Sequence, residues 1–300
     1  MTQAPPEGVL VVDKPSGPTS HDIVAAARRL LQQPRIGHTG TLDPLATGVL
    51  PLACGRATRL VRFLTASHKT YRAVVRFGLE TDSYDITGET VSQSGRVPEP
   101  DAVLAGLAAM RGAQLQVPPA HSAKKVGGRR AYERARNQES VTLQPVPVRV
   151  LDVQLVATDG PLTTIALTVS AGFYVRSFAH DLGQRLGTGA CLEALRRTAA
   201  GDFTLDGAVT LDALAAAPDQ ARAQLVPLRR LAAWLPSVVV GEPGLARLRH
   251  GRDVRGEDLE HGPVTTAAPW TRLLTADGEL LALAEPGEVE GTLHPSLVLI

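Results

Sequence analysis

The chain has 300 residues, 44% of them hydrophobic, and a formal net charge of +1, which is enough apolar length for one large domain or for a large and a small one. Two cysteines, Cys54 and Cys191, exclude a disulfide framework and a four-cysteine zinc site. No run of about eighteen uncharged apolar residues occurs and the N-terminal MTQAPPEG lacks the features of a secretory leader, so no membrane span is expected and the cytoplasm is the natural compartment.

The near-zero net charge hides an asymmetry. Residues 1–72 hold nine Lys/Arg against four Asp/Glu, residues 111–136 seven against one, and residues 201–300 eight against fourteen. The first two-thirds therefore suit a polyanionic partner, with the acidic tail facing away from it.

In chain order, the β-branched run Gly8 to Asp13 predicts a strand. A Pro/Gly loop follows, and Ser20 is a good N-cap for a helix from about His21 to Leu31 with Ile23, Val24, Ala27 and Leu30 on one face. Residues 35–59 then place one acid, Asp43, among Gly37, Gly40, Gly48 and several threonines, with Pro44 directly after it. Glycine lets backbone approach a ligand closely, and Pro44 biases Asp43 away from the α region. Four cations flank that carboxylate, Arg35, His38, Arg56 and Arg59, and the apolar run Val49 to Ala53 supports it from behind. Such a set suits a polyanionic ligand around a reactive acid, although an isolated Asp-Pro pair is more often a simple Asx-turn.

Ala57 to Thr65 reads as helical, and Lys69 to Phe77 alternates as a strand with Tyr71 near its start. The acids of 81–88 lack the glycine and closing glutamate of a calcium loop, so that stretch reads as a polar turn. Pro98 to Met110 has one apolar helical face. A Pro-rich loop then passes through Lys124, Lys125, Arg129 and Arg130 with Tyr132 interleaved, a composition that phosphate contacts require. Two strands, Val146 to Val156 and Leu162 to Ser170, flank a T-D-G turn. Tyr174 and Arg176 would share one face of a strand, and a helix starting at Arg176 ends at the G-T-G break. Beyond Pro236 only short strands are expected. Helices and strands mix without βαβ regularity, which predicts an α+β fold around a mixed or antiparallel sheet. No phosphate-binding loop, dinucleotide fingerprint or Cys/His cluster occurs, so neither cofactor nor metal is expected.

The stretch GHTGTLDPLATG from Gly37 to Gly48 resembles the catalytic motif of the TruB-type tRNA pseudouridine-55 synthases. The likeness continues in K-T-Y-R at Lys69, in Pro118 to Arg136, in Y-V-R at Tyr174 and in L-R-R at Leu195; His121 departs from it, standing where an aromatic such as tyrosine is usual. This resemblance implies a pseudouridine synthase fold with a mixed, mostly antiparallel sheet. It implies a catalytic domain over 1–235, a thumb-like insertion at about 100–147 that clamps RNA, and a small PUA-like β domain over 236–300. It implies that Asp43 is the catalytic aspartate, that Tyr71 stacks on the target base, and that Arg176 forms a salt bridge with Asp43 and keeps it ionised. Tyr174 and Leu195 would line the pocket, with Lys14 framing it. His38 would help to hold the RNA open, and Arg59, Lys124, Lys125, Arg129 and Arg130 would contact phosphates. The implied partner is the T-arm of tRNA, acted on by a cofactor-free monomer that flips the base. No guide RNA is expected, because guide-dependent relatives lack the thumb. The same basic surface would also serve a tRNA-folding chaperone that acts without catalysis.

Overall fold

The computed structural model describes residues 5–119, 143–262 and 268–300, and the backbone alone of 125–126 and 129–130. The first strand, β1 (Gly8–Lys14), pairs antiparallel with β3 (Thr47–Cys54) along its whole length. Both are nearly continuous apolar runs because both of their faces are covered. Leu10, Val12, Leu50 and Leu52 enter the main core, while Val9, Val11, Val49 and Ala53 enter a second one. A strand buried on both faces loses the alternation that a half-exposed strand shows.

Between them, α1 (Ser20–Leu30) begins one residue before the expected start. Its cap is Thr19, whose Oγ1 accepts from the Asp22 amide at 3.1 Å while Asp22 Oδ2 accepts from the Thr19 amide at 2.9 Å. This reciprocal capping box leaves Ser20 inside the first turn, buried and available for another purpose. Strand β2 (Ile36–His38) pairs with β3. After β3 a 3-10 turn and a short helix, α2 (Val61–Thr65), replace the single helix expected from Ala57.

Strand β4 (Lys69–Phe77) spans the expected residues, and Lys69, Tyr71, Ala73, Val75 and Phe77 all point inward. A hairpin of β5 (Leu79–Thr81) and β6 (Thr90–Gln93) leads to α3 (Pro100–Ala109) and to β7 (Gly112–Gln116). The short pair β8 (Lys125–Val126) and β9 (Arg129–Arg130) is described only as backbone. The long hairpin β10 (Val146–Asp159) and β11 (Leu162–Val169) follows, then α4 (Val175–Arg185), β12 (Ala190–Ala200), β13 (Phe203–Thr204) and β14 (Val209–Thr210).

These strands form a sheet in the order β14-β1-β3-β12-β4-β11-β10-β7, with β2 added to β3 and β13 to β12. Among the described strands of this sheet, only β1 with β14 and β3 with β12 pair parallel. It is therefore mixed and mostly antiparallel, as expected. Ile23, Val24 and Ala27 of α1 and Phe178, Ala179 and Leu182 of α4 pack into its main core.

A second sheet of six strands is built from β15 (Ser237–Val240), β16 (Val254–Arg255), β17 (Leu259–His261), β18 (Thr271–Leu274), β19 (Leu280–Pro286) and β20 (Thr292–Val298). Leu280, Leu283, Leu297 and Leu299 join Val9, Val11 and Val49 in one apolar cluster, so this C-terminal β domain shares a core with the back of the large sheet. Arg56 reinforces the junction by donating to the Leu299 carbonyl at 2.5 Å while pairing with Glu7.

Candidate active site

The loop from β2 to β3 is held at almost every turn. The Thr39 amide donates to the Pro51 carbonyl at 3.1 Å, the Gly17 amide to Pro44 at 2.9 Å and the Ala46 amide to Asp43 at 3.0 Å. The hydroxyl of Ser20 donates to the Leu42 carbonyl at 2.9 Å and accepts from the Leu42 amide at 2.8 Å. Beneath the loop, the fully buried Lys14 donates to the carbonyls of Pro15, Pro44 and Ala46 at 2.9, 3.2 and 2.7 Å. The framing role that the sequence suggested for Lys14 takes this form. Burial pushes its ammonium down to about 8, against the pull of Asp43.

From the other side, the guanidinium of Arg197 donates to Val49, Gly40 and Thr41 carbonyls at 2.6, 3.0 and 3.3 Å. Strand β12 runs parallel to β3 at this point, opposite Gly48. Gly48 has φ +101, and a Cβ there would lie 2.1 Å from the Arg197 carbonyl oxygen, so glycine is required for the two strands to meet.

Asp43 emerges from this loop half-exposed, gripped by Arg176. Arg176 Nε lies 2.9 Å from Asp43 Oδ2 and its Nη2 lies 3.2 Å from Oδ1, a two-point contact that fixes the carboxylate plane. Arg176 is itself held from behind. Its Nη1 donates to the Ser83 carbonyl at 3.1 Å and lies 3.4 Å from Asp85 Oδ2. Asp85 is buried, and its Oδ1 accepts from Ser83 Oγ, the Thr87 amide and Thr87 Oγ1 at 2.9, 3.0 and 2.6 Å.

Two expectations change here. The stretch 81–88 is more than a polar turn, because Asp85 gives Arg176 a second carboxylate; its sequence signal was a pair of hydroxyls, Ser83 and Thr87, two residues to either side. Tyr174 and Arg176 do not share a strand face either. Tyr174 is the extended N-cap residue of α4, and Arg176 lies in that helix's first turn. The Tyr174 backbone is fixed by the Gln116 side chain, which accepts from its amide at 2.8 Å and donates to its carbonyl at 3.0 Å.

A cavity of about 250 Å³ opens over Asp43. Tyr71, Tyr174, Arg176 and Leu195 line it, together with Lys69 and Arg197, to which sequence reasoning gave no role. Lys69 and Tyr71 are alternate residues of β4, and Leu195 and Arg197 of β12; the pairing of Arg197 with Tyr71 and Leu195 with Ala73 brings the four to one face. The structure thus gathers Asp43, Tyr71, Tyr174, Arg176 and Leu195 at one place.

Other assigned residues lie elsewhere. His38 is on β2 opposite Leu52 and does not line the cavity. Arg59 reaches away from it to the Val298 carbonyl of the C-terminal domain. Lys124, Lys125, Arg129 and Arg130, with His121 and Tyr132, fall outside the residues whose side chains are described.

Burial pushes the Asp43 carboxyl above the usual carboxylate range. Arg176 opposes that rise, Asp85 adds to it, and Lys14 opposes it. Arg176 thus favours the ionised form of Asp43, as the sequence reading expects of it, while desolvation acts in the opposite sense. No cluster of His, Cys, Asp and Glu suited to a metal is found among the described residues. None of the described helices is long and apolar enough to cross a membrane.

Among solved structures, the chain is similar to a protein of an H/ACA RNP bound to a substrate RNA containing 2'-deoxyuridine, at a TM-score of 0.75 and 24% identity, covering 98% of this chain and 85% of that one. That likeness is one of fold. It is also similar to a protein of a Cbf5-Nop10-Gar1 complex, at a TM-score of 0.74 and 26% identity over the same shares. The family model described as the TruB family pseudouridylate synthase N-terminal domain matches residues 28–175. The model of the tRNA pseudouridylate synthase B C-terminal domain matches residues 176–233. Curated relatives named tRNA pseudouridine synthase B come from Solibacter usitatus, 45% identical over 98% of this chain and 100% of the relative, and from Burkholderia mallei, 39% identical over 98% and 97%. The α+β fold and the curated relatives are those of isomerases of the pseudouridylate synthase class. The chain belongs to the TruB family.

Proposed function

We propose that this enzyme isomerises uridine 55 in the T-loop of tRNA to pseudouridine, with Asp43 as the reacting acid and without a guide RNA. The observation that carries the reading is the Asp43 carboxylate, held at two points by Arg176 at the mouth of a nucleoside-sized cavity. The relatives' name, tRNA pseudouridine synthase B, supports tRNA as the substrate. The reaction breaks the N1–C1′ bond, turns the base and joins C5 to C1′. C5 loses its proton and N1 gains one, so the balance closes without an electron donor or acceptor.

A carboxylate can serve as the nucleophile or as the base in this exchange. Tyr71 stacks on the detached base and Leu195 confines it, so that the base can turn without leaving. The target base must first be flipped out at a cost of about a few kcal/mol. That cost is offset by phosphate contacts, which fall to Lys124, Lys125, Arg129 and Arg130 of the thumb. The catalytic domain is 1–235, and the acidic β domain over 236–300 stays peripheral to the RNA. A monomer suffices, working in the cytoplasm where its tRNA is found.

Incubation with an unmodified tRNA transcript should yield one carbodiimide-dependent reverse-transcription stop, ending one nucleotide 3′ of position 55 and so reporting that uridine. A stop reporting a different uridine, with none reporting 55, would contradict the assignment. The pH profile gives a second check. Asp43 is active as the carboxylate, so the single-turnover rate should fall as pH drops through its pKa. The acid limb should lie above the ordinary Asp value of 3.8 because burial raises that pKa. A rate that stays flat down to pH 4 would count against Asp43 as the titrating group.

A further inference from the structure

The wall of the cavity also carries two cations that do not pair with the reacting acid. There Lys69 and Arg197 converge on Gly40: a Cβ on that glycine would lie 3.6 Å from Arg197 Nη1 and 3.8 Å from Lys69 Cε. Both side chains line the cavity, and both residues are buried, at 7% and 1% exposure. Among the described residues neither forms an ion pair with a carboxylate. Their donors go to main-chain carbonyls. Lys69 Nζ donates to Thr65 and Ser67 at 2.5 and 2.6 Å, leaving one of its three protons unassigned. Arg197 donates to Val49, Gly40 and Thr41.

Buried charges are ordinarily paired, because desolvating an unpaired ion costs more than carbonyl dipoles return. The acids of this site do not meet the need. Asp43 and Asp85 both engage Arg176, and Lys14 already stands near Asp43. The Lys69 ammonium is accordingly pushed down to about 8 by burial and by the charge of Arg197. An anion arriving between the two would relieve both.

We propose that Lys69 and Arg197 form an anion subsite that takes a phosphodiester of the substrate RNA next to the target nucleotide. A uracil ring carries no charge to offset two cations, whereas the backbone of its own nucleotide does. The spacing fits. Lys69 and Tyr71 are alternate residues on one face of β4, roughly 6.6 Å apart along the strand, comparable to the reach from a nucleobase to its own phosphate. A base stacked on Tyr71 therefore brings a phosphate towards Lys69. The inference rests on the RNA-isomerising reading, and adds to the thumb a phosphate contact inside the cavity itself.

The test is a neutralisation scan. Each phosphate flanking the target uridine of a T-arm hairpin is replaced in turn by an uncharged methylphosphonate. Affinity is measured for the wild type, Lys69→Met, Lys69→Gln and Lys69→Arg. One position should weaken binding about tenfold for the wild type and for Lys69→Arg. The neutral variants should bind the native hairpin about tenfold less well and be indifferent at that position, with a salt slope lower by about 1. The proposal is overturned if the wild type is indifferent to every flanking phosphate, or if the neutral variants lose as much as the wild type at each of them. It is equally overturned if neither neutral variant folds, since Lys69 would then belong to the framework. Tritium release from C5 of the same native hairpin is recorded in parallel. A bound and isomerised hairpin with a flat scan overturns the subsite alone, whereas a bound hairpin that releases no tritium overturns the proposed reaction and leaves the scan readable.

Discussion

Arg176→Lys should slow the single-turnover rate by about 10²- to 10³-fold while changing hairpin affinity by less than about threefold. Lysine preserves the charge and discards the geometry. The guanidinium reaches both Asp43 oxygens and, with Nη1, the Ser83 carbonyl and Asp85. An ammonium is a point donor that cannot span those positions. Removing one partner of a buried pair costs about 3–5 kcal/mol, because the remaining charge is left uncompensated. Part of that is retained when the charge is kept, and each factor of ten in rate corresponds to about 1.4 kcal/mol. Asp43 would also be less well held against the desolvation that raises its pKa, so the acid limb of the variant should move to higher pH. Asp85→Asn should shift the rate in the same direction by a smaller factor, since it loosens Arg176 without touching Asp43. A variant within threefold of the wild-type rate would show that the arginine fork does not orient the reacting carboxylate.

The second large effect is on the loop itself. Lys14→Met should destabilise the protein by about 2 kcal/mol at pH 7 and abolish most activity. The buried Ala46 carbonyl loses its donor, and the partly buried Pro15 and Pro44 carbonyls lose theirs, although Pro44 keeps the Gly17 amide; a buried acceptor left unsatisfied costs about 1–3 kcal/mol. The loss is offset in part because the variant no longer buries a charge. That offset has a sign which urea unfolding can read. Burial lowers the lysine to about 8 in the folded protein against its ordinary value of 10.5. Between those values the unfolded chain binds the extra proton, so the wild type gains stability as pH rises, by at most about 1.4 kcal/mol per pH unit. The gap between wild type and variant should therefore widen from pH 8 to 10. A gap that is absent at pH 7, or that narrows with rising pH, would contradict the role given to Lys14.

Local signals carried much of this architecture. Strand β4 could be read because one of its faces is uniformly inward, and Asp43 because the whole stretch Gly37 to Gly48 resembles a family motif, where the Asp-Pro pair alone would have read as a turn. The main errors came where the determining contact is remote in sequence. Asp85 gained its meaning only from Arg176, about ninety residues away, and no periodicity in 81–88 announces that pairing. Lys69 and Arg197 were given no role by the sequence, and they acquire one only when β4 and β12 are placed side by side. Arg59 stood in the right cluster of charge, yet its side chain turns to the C-terminal domain, a direction that composition cannot give. Thr19 and Ser20 are both capping residues, and the choice between them depended on the distance to Asp22 and on the Leu42 backbone.

The most direct measurement of the central claim is single-turnover release of tritium from C5 of uridine in an unmodified T-arm hairpin, by the wild type and by Asp43→Asn. The wild type should release tritium, while Asp43→Asn, folded and binding the hairpin with similar affinity, should release none above background. Release by Asp43→Asn at the wild-type rate would contradict the assignment of Asp43 as the reacting acid.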